Sequence, residues 1–224
     1  MSNYNIAIDG PAGAGKSTIA RALAEQLKFI YIDTGAMYRS IGLYAEEHGA
    51  EVTDRQSVIA LLPEIHLELR FESGTQHIFV NGRDVSGAIR TEEASRWASA
   101  VSAIPEVRSF LLEFQRSFAK TNNILMDGRD IGTVVLPDAD LKIFLTASAE
   151  ARAARRFAEQ RAKGEDVTYE AVRDAMRQRD LQDSTRAAAP LKAAEDAILV
   201  DTTSMDLQQS VAHIRSIIWE KLHV

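Results

Sequence analysis

The sequence predicts an α/β fold with a five-stranded parallel sheet and helices on both faces, and three observations carry that prediction. First, an apolar run, Ile6 to Ile8, enters a glycine-rich turn, and a segment with apolar residues at Ile19, Ala20, Leu23, Ala24 and Leu27 follows. The spacing of those five residues is helical, so the stretch reads strand–loop–helix. Second, short apolar runs alternate with helical periodicity along most of the chain, as expected of a largely parallel sheet with crossover helices. Third, residues 63 to 90 break that pattern with period-two alternation and read as an inserted hairpin.

The elements follow in order. Phe29 to Ile32 reads as the second strand. It ends at Asp33-Thr34-Gly35-Ala36-Met37-Tyr38-Arg39, where Thr34 is taken as the N-cap of a helix running to His48, with Gly49 as its stop. Asp54 caps a short helix to residue 62. Ile65, Leu67, Leu69 and Phe71 alternate with polar neighbours, as do Ile78 and Val80 beyond a Ser73-Gly74 turn, and Gly82-Arg83-Asp84-Val85 extends the hairpin. Helices are expected from Thr91 and again from about Glu106 to Lys120, divided at Pro105. Ile124 to Asp127 and Lys142 to Thr146 read as buried strands. Helices over 148–163 and 168–181 come next, then a loop over 182–196 around Pro190, a last strand over 197–201 and a last helix over 206–222.

With 224 residues the chain is long enough for one sizeable core with small insertions. No stretch approaches the roughly 18 to 20 apolar residues of a membrane span. The first strand begins almost at once, which leaves no room for a targeting segment, and the expected location is the cytoplasm. The absence of cysteine excludes disulfides and thiolate metal sites. A net charge of −6 disfavours a nucleic-acid polymer as partner, whereas a small phosphorylated ligand could still meet a local group of arginines.

Gly10, Gly15, Lys16 and Ser17 fit the pattern G-x-x-x-x-G-K-[ST], in the strand–loop–helix context that gives the pattern its meaning. Glycines let the backbone wrap an anion, and successive amides with the helix N-terminus point at phosphates. Lys16 is placed to reach the β- and γ-phosphates, and the Ser17 hydroxyl suits Mg²⁺. Four more charged stretches lie where α/β proteins keep ligands, beyond strand ends or in nearby helices and loops. They are Thr34 with Arg39, Asp127-Gly128-Arg129-Asp130, Arg108 with Ser99 upstream, and Arg179 to Arg186. Asp127, after three apolar residues, could face Mg²⁺. Alone, Arg39 or Arg108 reads as a solvated surface charge, and Arg152, Arg155, Arg156 and Arg161 read equally as the wet face of a helix.

Taken together, these blocks resemble the bacterial-type cytidylate kinases among the nucleoside monophosphate kinases. The residues that carry the resemblance are Ile8 to Thr18, Asp33 to Arg39, Asn81 to Val85 with Ile89-Arg90-Thr91, Val107-Arg108, Asp127 to Val135, Arg179-Asp180 with Asp183-Ser184, and Arg186 with Pro190-Leu191. The resemblance implies a P-loop NTPase fold, with a nucleoside-monophosphate-binding subdomain at 63–90 and a lid at about 152–190. It implies transfer of the γ-phosphoryl group of ATP to CMP or dCMP with Mg²⁺, by a monomer that takes small nucleotides and neither a nucleic-acid polymer nor a membrane.

By position it also implies roles. Gly10, Pro11, Ala12, Gly13, Ala14, Gly15, Lys16, Ser17 and Thr18 hold ATP, with Ser17 toward Mg²⁺ partly through phosphates and water. Thr34, Arg39, Arg129 and Arg186 face the phosphate of CMP, Arg179 and Asp183 its pentose, and Ser99, Arg108 and Asp130 its base. Lys16, Arg129 and Arg186 are the catalytic set. Two other readings stay open on the residues alone: a kinase for another small acceptor, and a GTP-dependent switch. The absence of an Asn-Lys-x-Asp motif counts against the switch.

Overall fold

A computed structural model describes residues 3–72 and 75–224. The expected Ser73-Gly74 turn lies outside the described residues. The elements are β1 (Asn5–Asp9), α1 (Lys16–Leu27), β2 (Ile30–Asp33), α2 (Thr34–Glu47), α3 (Arg55–Leu61), β3 (Leu67–Glu72), β4 (Thr75–Val80), β5 (Arg83–Asp84), α4 (Glu92–Val101), α5 (Pro105–Thr121), β6 (Ile124–Gly128), β7 (Leu141–Thr146), α6 (Ala149–Ala162), α7 (Tyr169–Thr185), β8 (Ile198–Asp201) and α8 (Leu207–Leu222). Five strands form a parallel sheet in the order β2-β6-β1-β7-β8, and β3, β4 and β5 form a separate antiparallel sheet.

Alternation along the central strands explains why both faces of the large sheet are covered. Ile6 and Ile8 of β1 point to a core built with Leu23 of α1 and Ile214 and Ile218 of α8. Ala7, between them, points to the opposite core, shared with Met37 and Ile41 of α2, Trp97 of α4 and Leu111 of α5. In β6, Leu125 joins the first core while Ile124 and Met126 join the second. Successive side chains of a strand face opposite ways, so a central parallel strand needs apolar residues at nearly every position. The small sheet packs on the second core through Leu67, Ile78 and Val80, the inward phase of its period-two pattern.

Parallel pairing sets Ile8 opposite Asp127 and Asp9 opposite Gly128, and Asp33 also lies opposite Asp127. Three carboxylates thus lie at or beside the carboxyl ends of three adjacent strands, on one edge of the sheet. Two expectations need correction. The N-cap of α2 is Asp33, whose carboxylate accepts from the Ala36 amide at 2.9 Å. Thr34 instead turns across the sheet and donates to the Asp127 carbonyl at 2.7 Å. Residues 182 to 185 are not loop, because α7 continues to Thr185. Its last hydroxyls bond back along the helix, Ser184 to the Asp180 carbonyl at 2.8 Å and Thr185 to that of Leu181 at 2.7 Å.

Candidate active site

A cleft of about 1010 Å³ opens over the carboxyl ends of β1, β2 and β6. Residues 12 to 18 line one side, and Thr34, Arg39, Ser99, Arg108, Arg129, Asp130, Arg179, Asp183 and Arg186 also line it. Segments far apart in sequence therefore meet in one cavity. Gly10 and Pro11 do not line it; they form the base of the loop. A Cβ at Gly10 would lie 1.9 Å from the Leu145 carbonyl oxygen, so only glycine lets the loop leave β1 against β7. Gly15 has φ +89° and caps α1 without a side chain, which leaves the first amides of that helix open toward the cleft.

Lys16 is buried, and its Nζ donates to the Pro11 carbonyl at 2.8 Å. Burial and then the Arg129 charge pull its pKa well below the ordinary lysine value, although Asp127 and Asp9 oppose the shift. The Ser17 hydroxyl donates to Asp127 Oδ2 at 2.8 Å, and the Tyr31 hydroxyl holds the other carboxylate oxygen at 2.8 Å. Burial and then Asp33 raise the pKa of Asp127. This corner offers only oxygen ligands, a hydroxyl and a carboxylate, the chemistry that suits Mg²⁺.

The opposite side is dominated by guanidinium groups. Arg39 pairs with Asp33 at 2.8 Å, and Arg129 Nε donates to Asp183 at 2.9 Å. Arg108 pairs with Asp130, which Arg186 also approaches at 3.4 Å. Burial lowers the pKa of Arg179 to about 10, with Arg129 the next cause. For Asp183 burial acts upward, but Arg129, Arg179 and Arg186 outweigh it and the pKa is lowered. Among the described residues, the buried Nε atoms of Arg39 and Arg179 have no hydrogen-bond partner in the chain. A largely buried group of cations, two of them with unspent Nε donors, is suited to a polyanion. Ser99 lies at the rim, its hydroxyl donating to Gln182 at 3.0 Å.

Several contacts in and around the cleft escape a reading of the sequence. Tyr38 lies beneath Arg108, whose guanidinium carbon is 5.6 Å from the ring centroid. Arg152 and Arg155 are not on a wet face. Arg152 binds the Ala12 carbonyl at 3.0 Å and Asp180 at 2.7 Å, and Arg155 binds the Thr202 carbonyl at 2.6 Å. A helical wheel of α6 gives no hint of these partners, which come from the phosphate loop, α7 and the segment after β8. Arg156 does cross the cleft to Glu92, whereas Arg161 is exposed.

The cytidylate kinase family model matches residues 6–220. A cytidylate kinase of Caldicellulosiruptor bescii is 48% identical over 220 residues, which cover 98% of this chain and 97% of that protein. One of Carboxydothermus hydrogenoformans is 50% identical over 216 residues, covering 96% of this chain and 97% of that protein. Among solved structures, an uncharacterized protein from Eubacterium ventriosum matches with a TM-score of 0.51 at 14% identity, covering 96% of this chain and 98% of that one. That last likeness concerns the fold alone.

Proposed function

The chain belongs to the cytidylate kinase family, and from that premise we propose that it transfers the γ-phosphoryl group of ATP to CMP or dCMP, giving ADP and CDP or dCDP. The observation that carries this reading is the single cleft that holds a phosphate loop together with an arginine group and the Arg108–Asp130 pair. A phosphate oxygen of the acceptor attacks the γ-phosphorus, and the bond to the β-phosphate oxygen breaks. Positioning and charge stabilisation do most of the catalytic work in such a transfer.

Residues 12 to 18 hold ATP, on the base that Gly10 and Pro11 give the loop, and Lys16 leaves the Pro11 carbonyl to meet the β- and γ-phosphates. Thr34, Arg39, Arg129 and Arg186 bind the acceptor phosphate and offset charge between the two anions. Arg179 and Asp183 hold the pentose, while Ser99, Arg108 and Asp130 read cytosine. Ser17, with Asp127 through water, would hold Mg²⁺ beside the phosphates. The ion would neutralise charge on the β- and γ-oxygens. Residues 63–90 act as the acceptor-binding subdomain and about 152–190 as the lid. The protein works as a cytoplasmic monomer in pyrimidine nucleotide metabolism. Release of ADP measured over CMP, dCMP, UMP, AMP, GMP and non-nucleotide acceptors tests the reading, and preference for a non-nucleotide acceptor would replace it.

Lid closure should depend on the acceptor's phosphate. Arg186, at the end of α7, spends its donors on the Ala189 carbonyl at 2.8 Å, Ser102 at 3.3 Å and Asp130 at 3.4 Å. An acceptor phosphate would recruit it and tie α7 down. Hydrogen exchange over 179–191 is expected to slow with CMP plus a non-hydrolysable ATP analogue, and not with cytidine plus the same analogue. Equal protection by cytidine would contradict this coupling.

A further inference from the structure

Asp9 has no part in the contacts proposed above, yet it is the last residue of β1, directly before Gly10, and is only 5% exposed. Its Oδ1 accepts from the Ile131 amide at 2.8 Å and its Oδ2 from the Gly132 amide at 2.7 Å. Those are the two amides that follow Arg129 and Asp130. They open a wide turn over Ile131–Val135, closed by the Val135 amide on the Asp130 carbonyl at 3.2 Å and the Leu136 amide on the Ile131 carbonyl at 2.7 Å. The first amides of such a turn have no partner within it and need one from outside. Asp130 enters the turn at φ −147° and ψ 27°, so helical geometry does not fix its backbone. Space at Gly132 is tight as well: a Cβ there would come within 3.1 Å of the Lys142 side chain and 3.4 Å of Asp9 Oδ2.

We infer that Asp9 is a positioning residue for acceptor recognition, whose grip on the Ile131 and Gly132 amides fixes the backbone that aims Arg129 and Asp130 into the cleft. The same carboxylate is joined to the root of the phosphate loop. One rigid group therefore sets the spacing between the donor-holding loop and the acceptor-reading turn. Burial raises the Asp9 pKa to about 6, the two amides oppose that shift, and the nearby Asp130 and Lys16 charges act in opposite directions. A buried carboxylate with both oxygens committed to backbone amides is suited to holding a neighbouring segment rigid. The inference rests on the cytidylate reading of the same cleft.

The test compares wild type with Asp9→Asn and Asp9→Ala, measuring kcat and KM separately for CMP and UMP at saturating ATP, with thermal melts for each protein. Asparagine keeps one acceptor but turns an NH₂ toward the second amide; alanine keeps neither. KM for CMP is expected to rise about tenfold in Asp9→Asn and more in Asp9→Ala. The CMP:UMP ratio of kcat/KM should fall in the same order, and exchange at the Ile131 and Gly132 amides should speed up. A purely structural role would lower the folded fraction, and kcat with it, while leaving KM for CMP and the CMP:UMP ratio at wild-type values; that result overturns the inference. Should Asp9→Ala not fold, Asp9→Asn alone decides. Failure of the underlying reading shows separately, as a wild type that does not use CMP.

Discussion

Replacing Lys16 by alanine is expected to lower kcat by about 10²- to 10³-fold, the usual loss when one charge-stabilising donor is removed from a transfer site. The fold should survive. Among the described residues Lys16 makes one side-chain hydrogen bond, to the Pro11 carbonyl at 2.8 Å, and burial together with Arg129 already disfavours its charge. Such a group contributes little net stability, about 1 kcal/mol or less. Kinetics at saturating ATP beside a thermal melt separate the two effects. A folded Lys16→Ala protein with wild-type turnover would remove the phosphate-loop assignment.

The second large effect is expected at Asp130. Cytosine presents an N4 amino donor beside the N3 and O2 acceptors, which a carboxylate and a guanidinium complement; uracil presents O4 and a protonated N3. Asp130 is 4% exposed and meets both Arg108 and Arg186. Asp130→Ala would leave two guanidinium groups without their anion, at a cost of about 3 to 5 kcal/mol. Asp130→Asn keeps the volume and offers an NH₂ that suits the O4 of uracil. The CMP:UMP ratio of kcat/KM should fall by about 10- to 100-fold in Asp130→Asn, since one buried mismatch is worth roughly 1 to 3 kcal/mol. An unchanged ratio would take Asp130 out of base reading.

The phosphate loop and the five parallel strands are legible in the sequence because residue type and backbone requirement coincide there. Gly10 stands where a Cβ would strike the Leu145 carbonyl, and the apolar runs of β1 and β6 are those of strands buried on both faces. The β3–β4 hairpin is legible because only one phase of its alternation reaches the core. The α2 cap is misread because Asp33 and Thr34 are both good caps, and only the nearby Asp127 carbonyl decides which side chain turns away. The end of α7 is misread for a different reason. Asp183, Ser184 and Thr185 have weak helix propensity, and the helix persists through tertiary contacts such as Asp183 with Arg129 and Gln182 with Ser99. The turn after Asp130 leaves no sequence signal at all, since its opening amides are satisfied by Asp9, 122 and 123 residues away.

The central claim is that one cleft joins a triphosphate-holding loop to a pocket built for a cytosine monophosphate. Its most direct test is kcat/KM of the wild-type protein for CMP and for UMP, side by side at saturating ATP and Mg²⁺. The account predicts a CMP advantage of at least about 100-fold, from two or more buried mismatches with uracil at roughly one decade or more each. Equal use of CMP and UMP, or faster transfer to a purine monophosphate, would contradict it.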